Sequence, residues 1–318
     1  MTASRSLLRL TLTLPLAVAC ARAPHATVAP ATASVVRVYH APSGRFTTFE
    51  AMARDAARQD VVFFGEQHDD PVTHATELAL LAAIGEARPR VVLSLEMFER
   101  DVQDTLDAYL AGRASEATFL SASRPWERYT TDYRAMVELA RVRGWPVVAS
   151  NVPRRLASVV SRAGLGGLDT LPAADKRWIA RQHQCPRDDE YFRRFADQMK
   201  EHGSGGPASA PDTAMMRRMT ERFYEAQCVK DEAMGEAIAD AHQRTGGGAI
   251  VVHYDGAFHS DFGLGTAARA RQRLAGSRSL VISAIPVASW DSVDVKGNQG
   301  RADYLVFTRR LPAHPDMK

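Results

Sequence analysis

The chain has 318 residues, 45% hydrophobic and 24% charged, which excludes a disordered or fibrous protein. It allows one large domain with an insertion, or two small domains, with ample core and no need of staples. The formal net charge is +3, and Arg5 and Arg9 of a leader supply two of those charges. No strong basic field remains, so nucleic acid is not expected as the main partner.

Residues 1–19 read as a signal peptide: two arginines, then the apolar run "LTLTLPLAVA", too short to span a bilayer. The run ends at "AVAC", which is similar to a bacterial lipobox around Cys20, although Ala17 stands where a leucine is usual. Lipidation at Cys20 would hold the chain to a membrane surface; simple cleavage near the same place is the alternative. Residues 20–34 are rich in Ala, Pro and Thr and read as a tether, leaving 35–318 as a single domain. Two cysteines remain in that body, Cys185 and Cys228. An oxidising compartment favours a disulfide between them, and two separate buried thiols are the other reading.

From residue 35 the chain opens with a strand and turn over 35–49. Short apolar runs follow at 61–64, 91–95, 147–149, 249–252 and 280–285, with a last edge strand at 304–308. Continuous runs without alternation predict strands buried on both faces. Amphipathic segments at 72–86, 102–111, 132–143 and 153–162 separate them. The pattern predicts an α/β fold: a mostly parallel sheet flanked by helices. The interval of about 170–245 breaks the alternation and reads as a helical lid insertion. Its helices are expected at 173–183, 188–201 and 213–244, around a Gly/Pro/Ser loop at 202–212.

Polar groups cluster where the strands should end. The first run leads into Gly65-Glu66-Gln67-His68, the second into Glu96, the third into Ser150-Asn151, the fourth into His253-Tyr254-Asp255 and then His259. In a parallel sheet those ends share one edge, where open α/β folds bind ligands. Glu66, His68, Glu96, Asn151 and His259 are therefore the candidates for one crevice. They would serve as an acid/base set or, through Glu66, His68 and His259, as ligands of a divalent metal such as zinc, manganese or iron. Asp69 and Asp70 suit a turn and a helix cap. His74, one turn into the next helix, either faces the crevice or solvent. Trp126, Arg128 and Arg154 line or brace the crevice. Lys230, Asp231 and Met234 read as packing positions of a long helix with an exposed charge pair.

The blocks "GEQHDDPVTH" (65–74), "LEMFERDVQDTLDAYLAG" (95–112), "PWERYTTDYRAMVELARVRGWPVVASNVPR" (125–154), "FYEAQCVKDEAMGEAI" (223–238) and "GAFH" (256–259) carry a resemblance. The chain resembles the ChaN-like haem-binding lipoproteins, within the Tiki/TraB and erythromycin-esterase-like superfamily. That resemblance implies a periplasm-facing lipoprotein of the cell envelope, at the outer membrane, that serves haem or iron uptake. It implies haem held cofacially in a homodimer, with tyrosine on the iron. The sequence departs from the pattern at Thr73, where a histidine is common, and at "GAFH". Tyr191 is the candidate iron ligand, with Tyr129, Tyr133 and Tyr224 as competitors. Phe195 and Met199, with Phe192, would supply apolar surface, Arg193 and Arg194 would meet propionates, and His202 would assist the phenolate or ligate from a partner. The binding protein is the leading reading. The alternative is a superfamily hydrolase, protease- or esterase-like, working through the crevice.

Overall fold

The computed structural model describes residues 36–203 and 213–310. Residues 1–35, with the expected signal peptide and tether and Cys20, and residues 204–212 lie outside the described residues, as do the side chains of 201–203 and 213.

Eight strands form one sheet: β1 (Val36–His40), β2 (Arg45–Thr47), β3 (Val61–Glu66), β4 (Val91–Glu99), β5 (Val147–Asn151), β6 (Ile250–Gly256), β7 (Ser279–Val287) and β8 (Tyr304–Arg309). The order is β2-β1-β8-β7-β3-β6-β4-β5. The six strands from β8 to β5 are parallel, and β1 runs antiparallel to β8 and β2. The helices are α1 (Phe49–Ala56), α2 (Pro71–Ala87), α3 (Gln103–Leu110), α4 (Glu116–Ser123), α5 (Arg134–Arg143), α6 (Arg154–Ala163), α7 (Ala173–Lys176), α8 (Glu190–Gly203), α9 (Thr213–Arg244) and α10 (Gly265–Arg273).

Every residue of β3 and β6 is buried, because helices cover both faces. On one face Val62, Phe64, Leu93, Val252 and Ile282 pack against Met52 of α1, Leu80 and Ile84 of α2, and Met136 of α5. On the other, Val61, Phe63, Val251 and Val281 meet Ile238 of α9 and Ala267 and Ala270 of α10. This is the α/β sheet with flanking helices that the alternation predicts.

The strands run longer than their apolar runs. β3 continues through Gly65 and Glu66 because these still pair with Asp255 and Gly256 of β6. β4 continues to Glu99 through an irregularity after Leu95, so Glu96 sits inside the strand rather than beyond it. Helix formation at 173–183 stops after Lys176. Backbone N–H groups of Arg181 and Gln184 bond instead to Glu236 and Glu232 of α9, which stabilise an irregular path. α9 spans 32 residues, about 48 Å. It is the crossover from β5 to β6: its second half packs on the sheet, and its first half reaches over the strand ends beside α8. Cys185 and Cys228 form a disulfide that ties the irregular stretch to α9.

Candidate functional site

A cleft of about 470 Å³ opens over the C-terminal ends of β3, β4 and β6. Glu66, His68, Glu96 and His259 line its floor, so four of the five crevice candidates meet. Asn151 does not join them. It ends the edge strand β5, with its side chain buried and its Oδ1 without a partner. Trp126, Phe195 and Phe258 form the walls, and Lys230 and Arg301 bring positive charge.

Two hydrogen-bonded groups organise the floor. In the first, His68 Nδ1 meets Glu66 Oε1 at 2.6 Å, and the Tyr133 hydroxyl donates to the same oxygen at 2.6 Å. Tyr133 is delivered by a π-helical turn, Tyr129–Tyr133, a local winding often found at functional sites. The His68 ring stands edge-on to Trp126, 4.9 Å between centroids, and its side chain is 48% exposed. Burial opposes charge on His68, but the carboxylates of Glu66 and Glu96 outweigh it and raise its pKa. Gly256 makes room for the ring: a Cβ there would lie 2.8 Å from Nε2.

In the second group, His259 Nδ1 lies 2.6 Å from Asp231 Oδ1, and Nε2 lies 3.3 Å from Glu96 Oε1. Glu96 Oε2 accepts the Gly256 N–H at 2.7 Å. Asp231 also accepts from Thr266 at 3.0 Å and from the Tyr191 hydroxyl at 2.7 Å. Burial opposes charge on His259, but the carboxylates of Glu96 and Asp231 outweigh it and raise its pKa to about 10. Burial likewise opposes charge on Glu96, and the His259 imidazolium outweighs it and holds the carboxyl well below its usual range. Burial pushes Glu66 well above the ordinary value, with help from the Glu77 carboxylate, while Glu77 is pushed up to about 8 by its own burial.

The lid candidates divide. Phe195 lines the cleft, edge-on to Phe258 at 5.9 Å. Tyr191 is only 2% exposed, stacked on Phe258 and bonded to Asp231, and lines a cavity that adjoins the cleft rather than the cleft itself. Burial raises its hydroxyl well above the ordinary value, which disfavours a phenolate. Tyr129, Tyr133 and Tyr224 are buried as well. Arg193 is exposed and bonds the Asp188 carbonyl, while Arg194 pairs with Glu190 and lies over the Phe262 ring. Arg194 faces a cavity that adjoins the cleft and shares Arg301 with it. Met199 is half-buried on α8 and does not line the cleft; the His202 side chain lies outside the described residues.

His74 is buried rather than exposed. Among the described residues, the donor atoms that come together as metal ligands do are those of Glu66, His74 and Glu77, not of Glu66, His68 and His259. Asp231, Glu77 and Arg301 were outside the sequence candidates. Asp231, expected as half of an exposed charge pair, is buried and bonds His259. Arg301 sits in a turn-rich link and gave no signal. Aromatic walls, a lysine and a half-exposed imidazole in the cleft lining are a set of groups that fits haem.

A family model described as haem-binding uptake, Tiki superfamily, ChaN matches residues 52–270. No curated protein matches the sequence. Among solved structures, one of cofacial heme binding to ChaN of Campylobacter jejuni superposes with a TM-score of 0.65 at 14% identity, covering 86% of this chain and 97% of that one. At that identity the likeness is one of fold. An erythromycin esterase mutant, EreC in its open conformation, superposes with a TM-score of 0.45 at 12% identity, covering 84% of this chain and 80% of that one.

Proposed function

The chain belongs to the haem-binding uptake family of ChaN in the Tiki superfamily, and from that premise we propose that it is a haem-binding lipoprotein of the bacterial cell envelope that serves haem or iron uptake. The observation that carries the reading is the cleft. Trp126, Phe195 and Phe258 offer flat apolar surface to a porphyrin, and Lys230 offers charge to a propionate, while Arg301 is paired with Asp261. When bound, haem would supply the iron that this protein stores or passes on. His68 is the iron ligand the geometry supports. Its Nδ1 is held by a carboxylate, which fixes the tautomer and makes Nε2 the better donor. Tyr191 would first have to break its bond to Asp231.

Anchoring through Cys20, a place at the outer membrane facing the periplasm, and haem shared between two copies belong to the same proposal. The lipobox-like "AVAC" supports the anchor, and the Cys185–Cys228 bridge suits an oxidising compartment. The hydrolase alternative is less well served. It would work through Glu66, His68, Glu96 and His259, and of these His259 is held protonated between two carboxylates and is no base.

Hemin titration of the purified chain, followed by visible spectroscopy, tests the reading. Saturable uptake with a shifted Soret band is expected, and its absence would sink the proposal. His68→Ala should change the spectrum and weaken binding about tenfold or more, about 1.4 kcal/mol. Tyr191→Phe should leave the spectrum as it is. The reverse pattern would move the ligand to Tyr191.

A further inference from the structure

We infer that Glu66, His74 and Glu77 form a buried site for one divalent transition-metal ion beneath the floor of the cleft. The inference is independent of haem: it concerns the far side of Glu66, between β3, α2 and the π-helical turn.

The three side chains are 1%, 4% and 0% exposed, and their donor atoms all lie within 4.8 Å of one another. Proximity alone would be an acidic cluster. The buried carboxylate oxygens without partners, Glu66 Oε2 and Glu77 Oε1, make it a site. His74 Nε2 faces only acceptors, the His68 carbonyl at 3.2 Å and Asp132 Oδ2 at 3.4 Å, so Nε2 carries its hydrogen. Nδ1 is left facing carboxylate oxygens alone, the place for a hydrogen or for a cation. It points at Glu77 Oε2, 3.0 Å away, and Glu66 Oε2, 3.6 Å away. Three donor atoms of one buried cluster converge there, and a divalent ion would take the place of the protons they otherwise share.

The unsatisfied atoms point the same way. Glu66 Oε1 is saturated by Tyr133 and His68, yet Glu66 Oε2 is buried without a hydrogen-bond donor. Glu77 Oε1 is buried without a partner too. Buried carboxylate oxygens left bare are costly, and an ion would satisfy both. The separations of 3.0 and 3.6 Å are close to the roughly 3.0–3.4 Å between neighbouring donors about 2.1 Å from a common ion. Asp132 behind Nε2 completes the carboxylate–histidine–metal arrangement that orients a ligating ring. Two carboxylates cancel the charge of a divalent ion. One imidazole nitrogen with carboxylate oxygens suits Mn²⁺, Fe²⁺ or Zn²⁺, and neither a thiolate-preferring ion nor one that wants oxygen alone.

The competing arrangement is an ion-free one, with protons shared among the two carboxyls and the ring. Haem-free full-length protein, purified without chelator, should hold about one equivalent of metal by elemental analysis. After chelation it should take up Co²⁺ with visible absorption bands. Glu77→Gln should abolish that uptake, and Asp132→Asn, a positioning change, should weaken it about 10–100-fold. Circular dichroism reports whether each variant folds, and Asp132→Asn serves if Glu77→Gln does not. His68→Ala, which alters the cleft but none of the three ligands, should still bind Co²⁺. The inference is overturned if the wild type binds no Co²⁺, or if folded Glu77→Gln or Asp132→Asn binds as tightly as wild type. Loss in His68→Ala with retention in Glu77→Gln would also overturn it, by placing the ion in the cleft.

Discussion

His259 is buried between Glu96 and Asp231, and the three share two negative charges and one positive. Its folded pKa of about 10 lies above the roughly 6.5 of an unfolded chain. A group raised in this way stabilises the fold fully below about pH 6.5, and that contribution is lost as pH rises through about 10. Glu96 works in the opposite sense: its depressed pKa contributes above the ordinary carboxylate value and fails only in strong acid. Urea unfolding should therefore show stability falling from pH 6 to pH 10. His259→Ala should remove the part of that slope above about pH 8, while Glu77, raised to about 8, keeps its share below it, and should cost about 3–5 kcal/mol at pH 6, because two buried carboxylates lose their cation. An unchanged slope in the variant would assign the alkaline loss to other groups. Gly256 is the other residue on which the floor turns. A methyl group there would meet the His68 ring at Nε2 and Cε1, at 2.8 and 2.9 Å. Gly256→Ala should displace the imidazole and reduce hemin affinity about tenfold, with far-UV circular dichroism unchanged; wild-type affinity would show that the ring position does not matter.

At the scale of elements, α9 decides how the site is roofed. It carries Gln227 and Lys230 to the cleft, Asp231 to His259, and Glu232 and Glu236 to the backbone of 181–184, all from one helical stretch. The Cys185–Cys228 bridge closes a loop of 43 residues onto this helix, worth about 4 kcal/mol on a chain-entropy basis. Replacing both cysteines by alanine should lower unfolding stability by about 2–4 kcal/mol, measured by denaturant titration. Hemin binding should persist, because neither sulfur lines the cleft. A change below 0.5 kcal/mol would mean that the carboxylate caps from α9 already fix the segment. These caps also explain why the helix predicted at 173–183 is short. Helical periodicity cannot register backbone N–H groups that a distant helix satisfies. The predicted 213–244 helix does match α9, since 32 residues free of Gly or Pro interruption other than Gly235 leave little alternative.

Across the whole molecule, the parallel sheet is what made four strand ends readable as one place. Polar residues after buried apolar runs must gather at one edge, and Glu66, His68, Glu96 and His259 do. The failure of Asn151 has the same origin. With β3, β6, β4 and β5 in that order, β5 lies three spacings from β3, roughly 14 Å at about 4.8 Å each, and strand order is not written in local pattern. Tyr191 shows the limit of local pattern in another way: its helical face is legible in the sequence, but not the buried Asp231 to which its hydroxyl donates. The antiparallel rim has a consequence that can be measured. β1 pairs with β8 over five residues, from Val36 against Thr308 to His40 against Tyr304, and Val36 and Val38 belong to the main core. A chain that begins at Val36 keeps every described contact. It should unfold at the same temperature as the full chain and bind hemin equally. A chain that begins at Phe49 loses β1 and β2, uncovers the edge of β8 and opens the core. It should melt several degrees lower and aggregate on heating, since a bare, buried-type strand invites pairing with another copy. Equal melting of the two truncated chains would show that the parallel six-stranded sheet is self-sufficient and that β1 and β2 only cover it.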